Sequence, residues 1–177
     1  MKVMIASSTP LSASRRRGAP ERAPGVGPEV GHPRTYGLRD LLRRADERLQ
    51  PHRFGARDAE GRGVALLCLG VDQIEVVESA LGPAWGQALL DAVERRVSAP
   101  GAGDVAPLGG GRFAVLLPPG TDVHGALWAV ELMQQRASAP FRIGTHEVYV
   151  TLTAGVATSG GTSRRGEELL RDARAAL

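Results

Sequence analysis

Apolar and polar positions recur along this chain in two periods, and those periods predict its elements. Leu38, Leu41, Leu42, Ala45 and Leu49 fall at helical spacing with Arg and Asp between them. That pattern predicts a helix over 38–49, stopped by Pro51. The polar, glycine-bearing stretch 52–63 reads as a loop. Val64-Ala65-Leu66-Leu67-Cys68-Leu69 is an unbroken apolar run ending at Gly70, as expected of a strand covered on both faces. Asp72 is placed to cap a short helix carrying Ile74, Val77 and Leu81, which Gly82-Pro83 breaks. A further helix begins near Trp85 and turns Ala88, Leu89, Ala92, Val93 and Val97 inward. After a loop over 98–104, Val105 to Leu108 predicts a short strand.

The next stretch, Leu108-Gly109-Gly110-Gly111-Arg112-Phe113, runs a glycine turn straight into a second apolar strand, Phe113 to Leu117. Three glycines open the backbone to positive φ and leave no Cβ in the way of a close approach. Such a turn serves a phosphate or metal site, or simply closes a hairpin; the residues alone favour the hairpin. Pro118-Pro119-Gly120 ends the strand. Thr121 or Asp122 can cap the helix that follows, with Ala126, Leu127, Val130 and Leu132 or Met133 on its apolar side. Residues 141–148 read as a hairpin turning at Gly144. Val148, Val150, Leu152 and Ala154 alternate with Tyr149, Thr151 and Thr153, the period of a half-buried strand. After a Gly160-Gly161 loop, a terminal helix over 167–177 turns Leu169, Leu170 and Ala173 inward. Strands adjacent across the glycine turn must pair antiparallel. The order of elements predicts an α/β sandwich of the α+β class, not a doubly wound nucleotide fold.

Composition changes this picture in two places. The chain has 177 residues, 42% of them apolar but only 4% aromatic, so its core is expected to be Leu, Val and Ala. The net charge of +3 is unevenly placed. Residues 1–36 hold six basic against two acidic residues, a net of +4, which leaves −1 for the remainder. The near-neutral remainder has no basic face with interleaved aromatics, so nucleic-acid binding is not expected. Residues 1–31, rich in Pro, Gly, Ser and Arg without a hydrophobic period, read as a basic tail lacking order, with the folded domain over 32–177. The Arg15-Arg16-Arg17 cluster suits either an acidic partner or plain solvent. No apolar run is long enough to span a bilayer, and the first residues are too short for a secretion signal. The single Cys68 lies in an apolar strand, which excludes a disulfide framework. These features suggest a reducing, cytoplasmic setting. His32, His52, His124 and His146 show no metal-ligand spacing.

From Val64 to Leu177 the chain resembles the GGDEF domain of diguanylate cyclases. The signature reads Gly109-Gly110-Gly111-Arg112-Phe113. Leu69-Gly70-Val71-Asp72-Gln73-Ile74 is similar to the D-x-D-x-F segment, and Leu81-Gly82-Pro83-Ala84-Trp85-Gly86-Gln87 to L-G-H-x-x-G-D. Ala139-Pro140-Phe141, Gly144, Glu147-Val148, Val150-Thr151 and Gly155-Val156-Ala157 match the later hairpin and strand, and His32-Pro33-Arg34-Thr35 echoes the opening D-x-L-T. The resemblance implies a palm-like fold with a central, mainly antiparallel sheet flanked by helices. It also implies two domains meeting face to face, each with one GTP, and divalent ions that set up attack of a ribose hydroxyl on an α-phosphate to give cyclic di-GMP.

The departures bear on that chemistry. The metal-binding Asp after the first strand falls on Gly70, and the two acidic signature positions fall on Gly111 and Arg112. Glycine offers no side-chain oxygen, and a guanidinium is permanently positive. Two like unit charges about 4 Å apart repel by about 4 kcal/mol at an intermediate dielectric. Asp72 remains, but the resemblance makes the first residue of that pair the ligand; Glu75 stands where a phosphate-binding Lys is implied. Good Mg²⁺ binding and cyclase activity are therefore not expected. The product-binding R-x-x-D has no counterpart in 99–104. The guanine-reading Asn and Asp fall on Glu78 and Gln87, a carboxylate and an amide exchanged in place. With Arg112 on phosphate, these could bind GTP or GDP without metal. Three readings follow. The first is an inactive GGDEF-like regulatory or interaction module in cyclic-dinucleotide signalling, contacting a partner protein or another such domain through the pairing face. The second is a metal-independent guanine-nucleotide sensor, and the third an active cyclase with relocated ligands.

Overall fold

The computed structural model describes residues 5–7, 36–50, 63–99, 101–159 and 165–177, the first of these as backbone alone. In chain order the elements are β1 (Ile5–Ser7), α1 (Leu38–Leu49), β2 (Ala65–Val71), α2 (Ile74–Leu81), α3 (Pro83–Val97), β3 (Asp104–Gly109), β4 (Arg112–Leu116), α4 (Val123–Ala137), β5 (Phe141–Ile143), β6 (His146–Val148), β7 (Leu152–Thr158) and α5 (Gly166–Ala175). The central sheet runs β3-β4-β2-β7 with every pairing antiparallel. A small second sheet runs β1-β6-β5. This is the α+β sandwich with a palm-like central sheet that the sequence predicts.

The two unbroken apolar runs occupy the middle of the central sheet, which explains their composition. Successive side chains of a strand point to opposite faces. Leu67, Leu69 and Val71 therefore join Phe113, Val115 and Leu117 under α2, α3 and α4. Leu66 and Cys68 join Ala114 and Leu116 under α1 and α5. Each buried Leu or Val contributes about 1.5–3 kcal/mol of transfer free energy. Cys68 is wholly enclosed, and burial raises its thiol pKa, against the weaker opposing pull of Arg174 and Arg112. The folded thiol thus keeps its proton where an unfolded one loses it. Stability should fall as pH rises above the ordinary thiol value. Cys68 is expected to resist thiol reagents at pH 7.5 until denaturant unfolds the chain; prompt labelling of the native protein would contradict its enclosure.

Local signals set most boundaries. Asp122 accepts a hydrogen bond from the Gly125 amide at 2.8 Å and caps α4. Pro83 opens α3 at its first turn, a position where the missing N–H costs nothing. Three expectations need correction. Asp72 does not cap α2; Gln73 does, in a left-handed conformation with no side-chain cap bond. The alternating stretch from Val148 is not one strand, because Val148 ends β6 and β7 starts at Leu152. Its alternation of buried and exposed positions nevertheless persists through the intervening residues. Within the stretch read as an unordered tail, Ile5–Ser7 pairs with β6, Ile5 opposite Val148. The Arg15-Arg16-Arg17 cluster, His32 to Thr35, Pro51, His52 and Gly160-Gly161 lie outside the described residues. Among the described residues, no helix is long and apolar enough to cross a membrane.

Candidate functional site

The site grows from strand register. On β2, Gly70 lies directly opposite Arg112 of β4 on one side and Thr153 of β7 on the other. Residues paired across a sheet project to the same face, so positions 70, 112 and 153 form one row at the end of the sheet. The row faces α5, as the packing of Leu177 over Gly70 shows: a Cβ on Gly70 would lie 3.6 Å from the Leu177 side chain. There the sheet opens into a cleft of about 270 Å³ whose lining includes Gly70, Asp72, Glu75, Gly111, Arg112 and Thr153.

The glycine turn forms its rim. Gly109, Gly110 and Gly111 have φ of 79°, 58° and 70°, the left-handed region that glycine enters without penalty. The Gly111 carbonyl accepts from the Val71 amide at 2.8 Å, which ties the turn to the end of β2. A Cβ on Gly111 would come 2.9 Å from Ile74 Cγ2, so the turn is packed against α2 as well. Phe113, the last signature residue, is buried in the core, while Arg112 is exposed in the cleft.

Asp72 is held from across the sheet. Its Oδ2 accepts from Thr151 Oγ1 at 2.6 Å and its Oδ1 from Thr153 Oγ1 at 2.7 Å. Its amide donates to the Thr151 carbonyl at 3.0 Å. Gln73 follows at φ 62°, the one described non-glycine residue with positive φ. Such a conformation costs a non-glycine residue about 1 kcal/mol, and here it turns the chain from β2 into α2 beside the cleft.

Sequence reasoning places Gly70, Gly111 and Arg112 together, and in the structure all three line this cleft. Glu78 and Gln87 are not part of its lining. Glu78 folds over Gly86, where a Cβ would meet its Oε1 at 2.7 Å, and Gln87 donates to Asp91 Oδ1 at 2.8 Å along α3. Sequence reasoning does not point to Thr151, Thr153 or Leu177 for the site. The threonines carry one available signal, two hydroxyls on the polar side of an alternating strand. Among the described residues, no group of three or more His, Cys, Asp or Glu side chains could hold a metal ion.

Comparison with known proteins bears on the same region. The family model described as "Diguanylate cyclase, GGDEF domain" matches residues 40–177. The bifunctional diguanylate cyclase/cyclic di-GMP phosphodiesterase MucR of Pseudomonas aeruginosa is 31% identical over 120 residues, 67% of this chain and 17% of that protein. The chain thus spans less than a fifth of the length of this curated relative. Among solved structures, the GGDEF domain of YfiN (also TpbB) from Pseudomonas aeruginosa superposes with a TM-score of 0.70 at 27% identity, over 81% of this chain and 88% of that one. The diguanylate cyclase SiaD of the same organism, solved in complex with its activator SiaC, gives a TM-score of 0.64 at 25% identity, over 79% of this chain and 52% of that one. The family match spans most of the chain and takes in the whole central sheet, so the chain belongs to the GGDEF domain family, found in proteins of cyclic di-GMP signalling.

Proposed function

We propose that this domain does not cyclise GTP and acts instead as a regulatory or interaction module in cyclic di-GMP signalling in the cytoplasm. The observation that carries the reading is the row at the sheet end: glycine at 70 flanked by a guanidinium at 112, with glycine at 111 on the rim. The family resemblance implies carboxylates at all three positions. Mg²⁺ prefers hard oxygen ligands in octahedral array, anchored by one or two carboxylates together with phosphates. Two carboxylates do line the cleft, Asp72 and Glu75. Asp72 already accepts a hydroxyl on each oxygen, and Glu75 shares the cleft with Arg112. This donor set fits Mg²⁺ poorly.

The module on this reading is residues 32–177, preceded by the basic stretch 1–31, of which Ile5–Ser7 pairs with β6. It works by contact with a protein or with another GGDEF-type domain. That SiaD is solved with a protein activator supports a protein-contact mode. Incubation of the full chain with GTP and Mg²⁺ should yield no cyclic di-GMP by mass spectrometry, and accumulation of the product would overturn the proposal.

Exposed Arg112 in the cleft favours one second reading, a metal-independent receptor for GTP or GDP, because a guanidinium fork matches phosphate geometry. Glu78 and Gln87 would then read the guanine. On that reading Arg112→Ala abolishes nucleotide binding. On the leading reading neither the wild type nor the variant binds at millimolar nucleotide.

A further inference from the structure

The described residues expose five large hydrophobic side chains, and three of them lie on the first half of α4: Val123, Leu127 at 50% and Trp128 at 64% exposure. Helix α4 turns Ala126, Met133 and Ala137 inward. Its outer stripe is therefore His124, Leu127, Trp128, Glu131 and Gln135, all exposed, at spacings of i, i+3, i+4, i+7 and i+11. That spacing puts all five on one face of the helix, where Leu127 and Trp128 form an exposed apolar pair flanked by polar side chains.

We propose that this face is a self-association surface, on which α4 of a second copy docks antiparallel about a two-fold axis between Leu127 and Trp128. The stripe is self-complementary in that orientation. Leu127 packs on Trp128 of the partner subunit, and the reverse contact repeats it, as an isologous interface requires. His124 then faces Glu131 of the partner subunit. The partner's Glu131 also approaches the first turn of α4, the positive end of the helix dipole, where a carboxylate is stabilised. Symmetry places the same pair at the other end. The parallel arrangement would set Glu131 against Glu131 and lose both contacts.

This surface is separate from the cleft. Helix α4 packs on the sheet face that carries Leu67 and Leu69, whereas Gly70, Arg112 and Thr153 face α5. Pairing through α4 leaves the cleft open. A single pair of 15-residue helices buries less than the ~1,200 Å² of a standard stable interface. The dimer should accordingly be weak and concentration-dependent.

Sedimentation of the full chain between about 5 and 500 µM tests this. The wild-type weight-average mass should rise from 18.6 kDa toward twice that value. Trp128→Glu should stay monomeric throughout. Glu131→Arg should weaken pairing at least about tenfold, and adding His124→Glu should restore it. Circular dichroism of each variant verifies its fold. A wild type that stays monomeric at about 500 µM would overturn the proposal. So would a dimer indifferent to Trp128→Glu and Glu131→Arg but broken by Arg112→Glu, which would place the contact at the cleft.

Discussion

Gly155→Ala is expected to lower the melting temperature by about 6–12 °C. The estimate takes a cost of about 3 kcal/mol for forced overpacking and about 2–4 °C per kcal/mol for a domain of this size. Gly155 lies on β7 opposite Cys68 of β2, on the face covered by α5. A Cβ there would collide with the Ala173 carbonyl oxygen and come 2.6 Å from the Leu177 amide nitrogen and 2.9 Å from the Ala176 carbonyl carbon. All three are backbone atoms, which no rotamer change can move. The end of α5 must lift from the sheet, and Leu177 must lift with it from its place over Gly70. Thermal unfolding followed by circular dichroism checks this; a drop under about 2 °C would mean that α5 does not approach β7 so closely.

Asp104→Ala is expected to cost about 2 kcal/mol, intermediate between an exposed ion pair and a fully buried one. Asp104 opens β3, and its Oδ2 receives both Arg44 Nη1 at 3.3 Å and Arg48 Nη2 at 3.1 Å. Arg48 Nη1 also donates to the Leu117 carbonyl at 2.8 Å, and Arg44 stacks over Tyr36 at 4.2 Å. The Tyr36 amide in turn donates to Val105 at 2.9 Å. The carboxylate thus fastens α1 to the strand that leads into the glycine turn. Its removal leaves two half-buried guanidinium groups without their counter-charge. Asp104→Asn keeps a hydrogen-bond acceptor and should lose about half as much. Urea unfolding measures both, and a loss under about 0.5 kcal/mol for the alanine variant would show the cluster to be ornamental.

Much of this arrangement was legible in the sequence because it is written in neighbouring residues. The periodicity of α1 gave its limits, 38–49. The glycine turn, the hairpin at Gly144 and the Asp122 cap each depend on residues a few positions apart. The gathering of Gly70, Gly111 and Arg112 came from the resemblance rather than from periodicity. What escaped notice is long-range. Asp72 looked like a helix cap because aspartate before an apolar helix commonly is one. Its carboxylate goes instead to two threonines about eighty positions later, in a strand that lies beside it only once β2 and β7 pair. Gly155 read as one residue of a matching motif, and its reason is the backbone of α5. The extent of β7 was blurred because burial alternates straight through 149–151, while the hydrogen-bond ladder does not. The three residues of β1 gave no hydrophobic period that could announce a partner in β6.

The retained shape and altered charge of the cleft can be separated by one titration. Calorimetry of the full chain with GTP, with and without millimolar Mg²⁺, reads directly whether the row at Gly70 and Arg112 can hold a divalent ion against a triphosphate. With glycine and guanidinium there, the metal should leave the result unchanged, whether that result is no heat or metal-independent binding. Binding that appears only with Mg²⁺, or tightens by about tenfold on its addition, would mean that Asp72 and Glu75 rebuild the metal site, and would contradict the loss of function inferred from residues 70, 111 and 112.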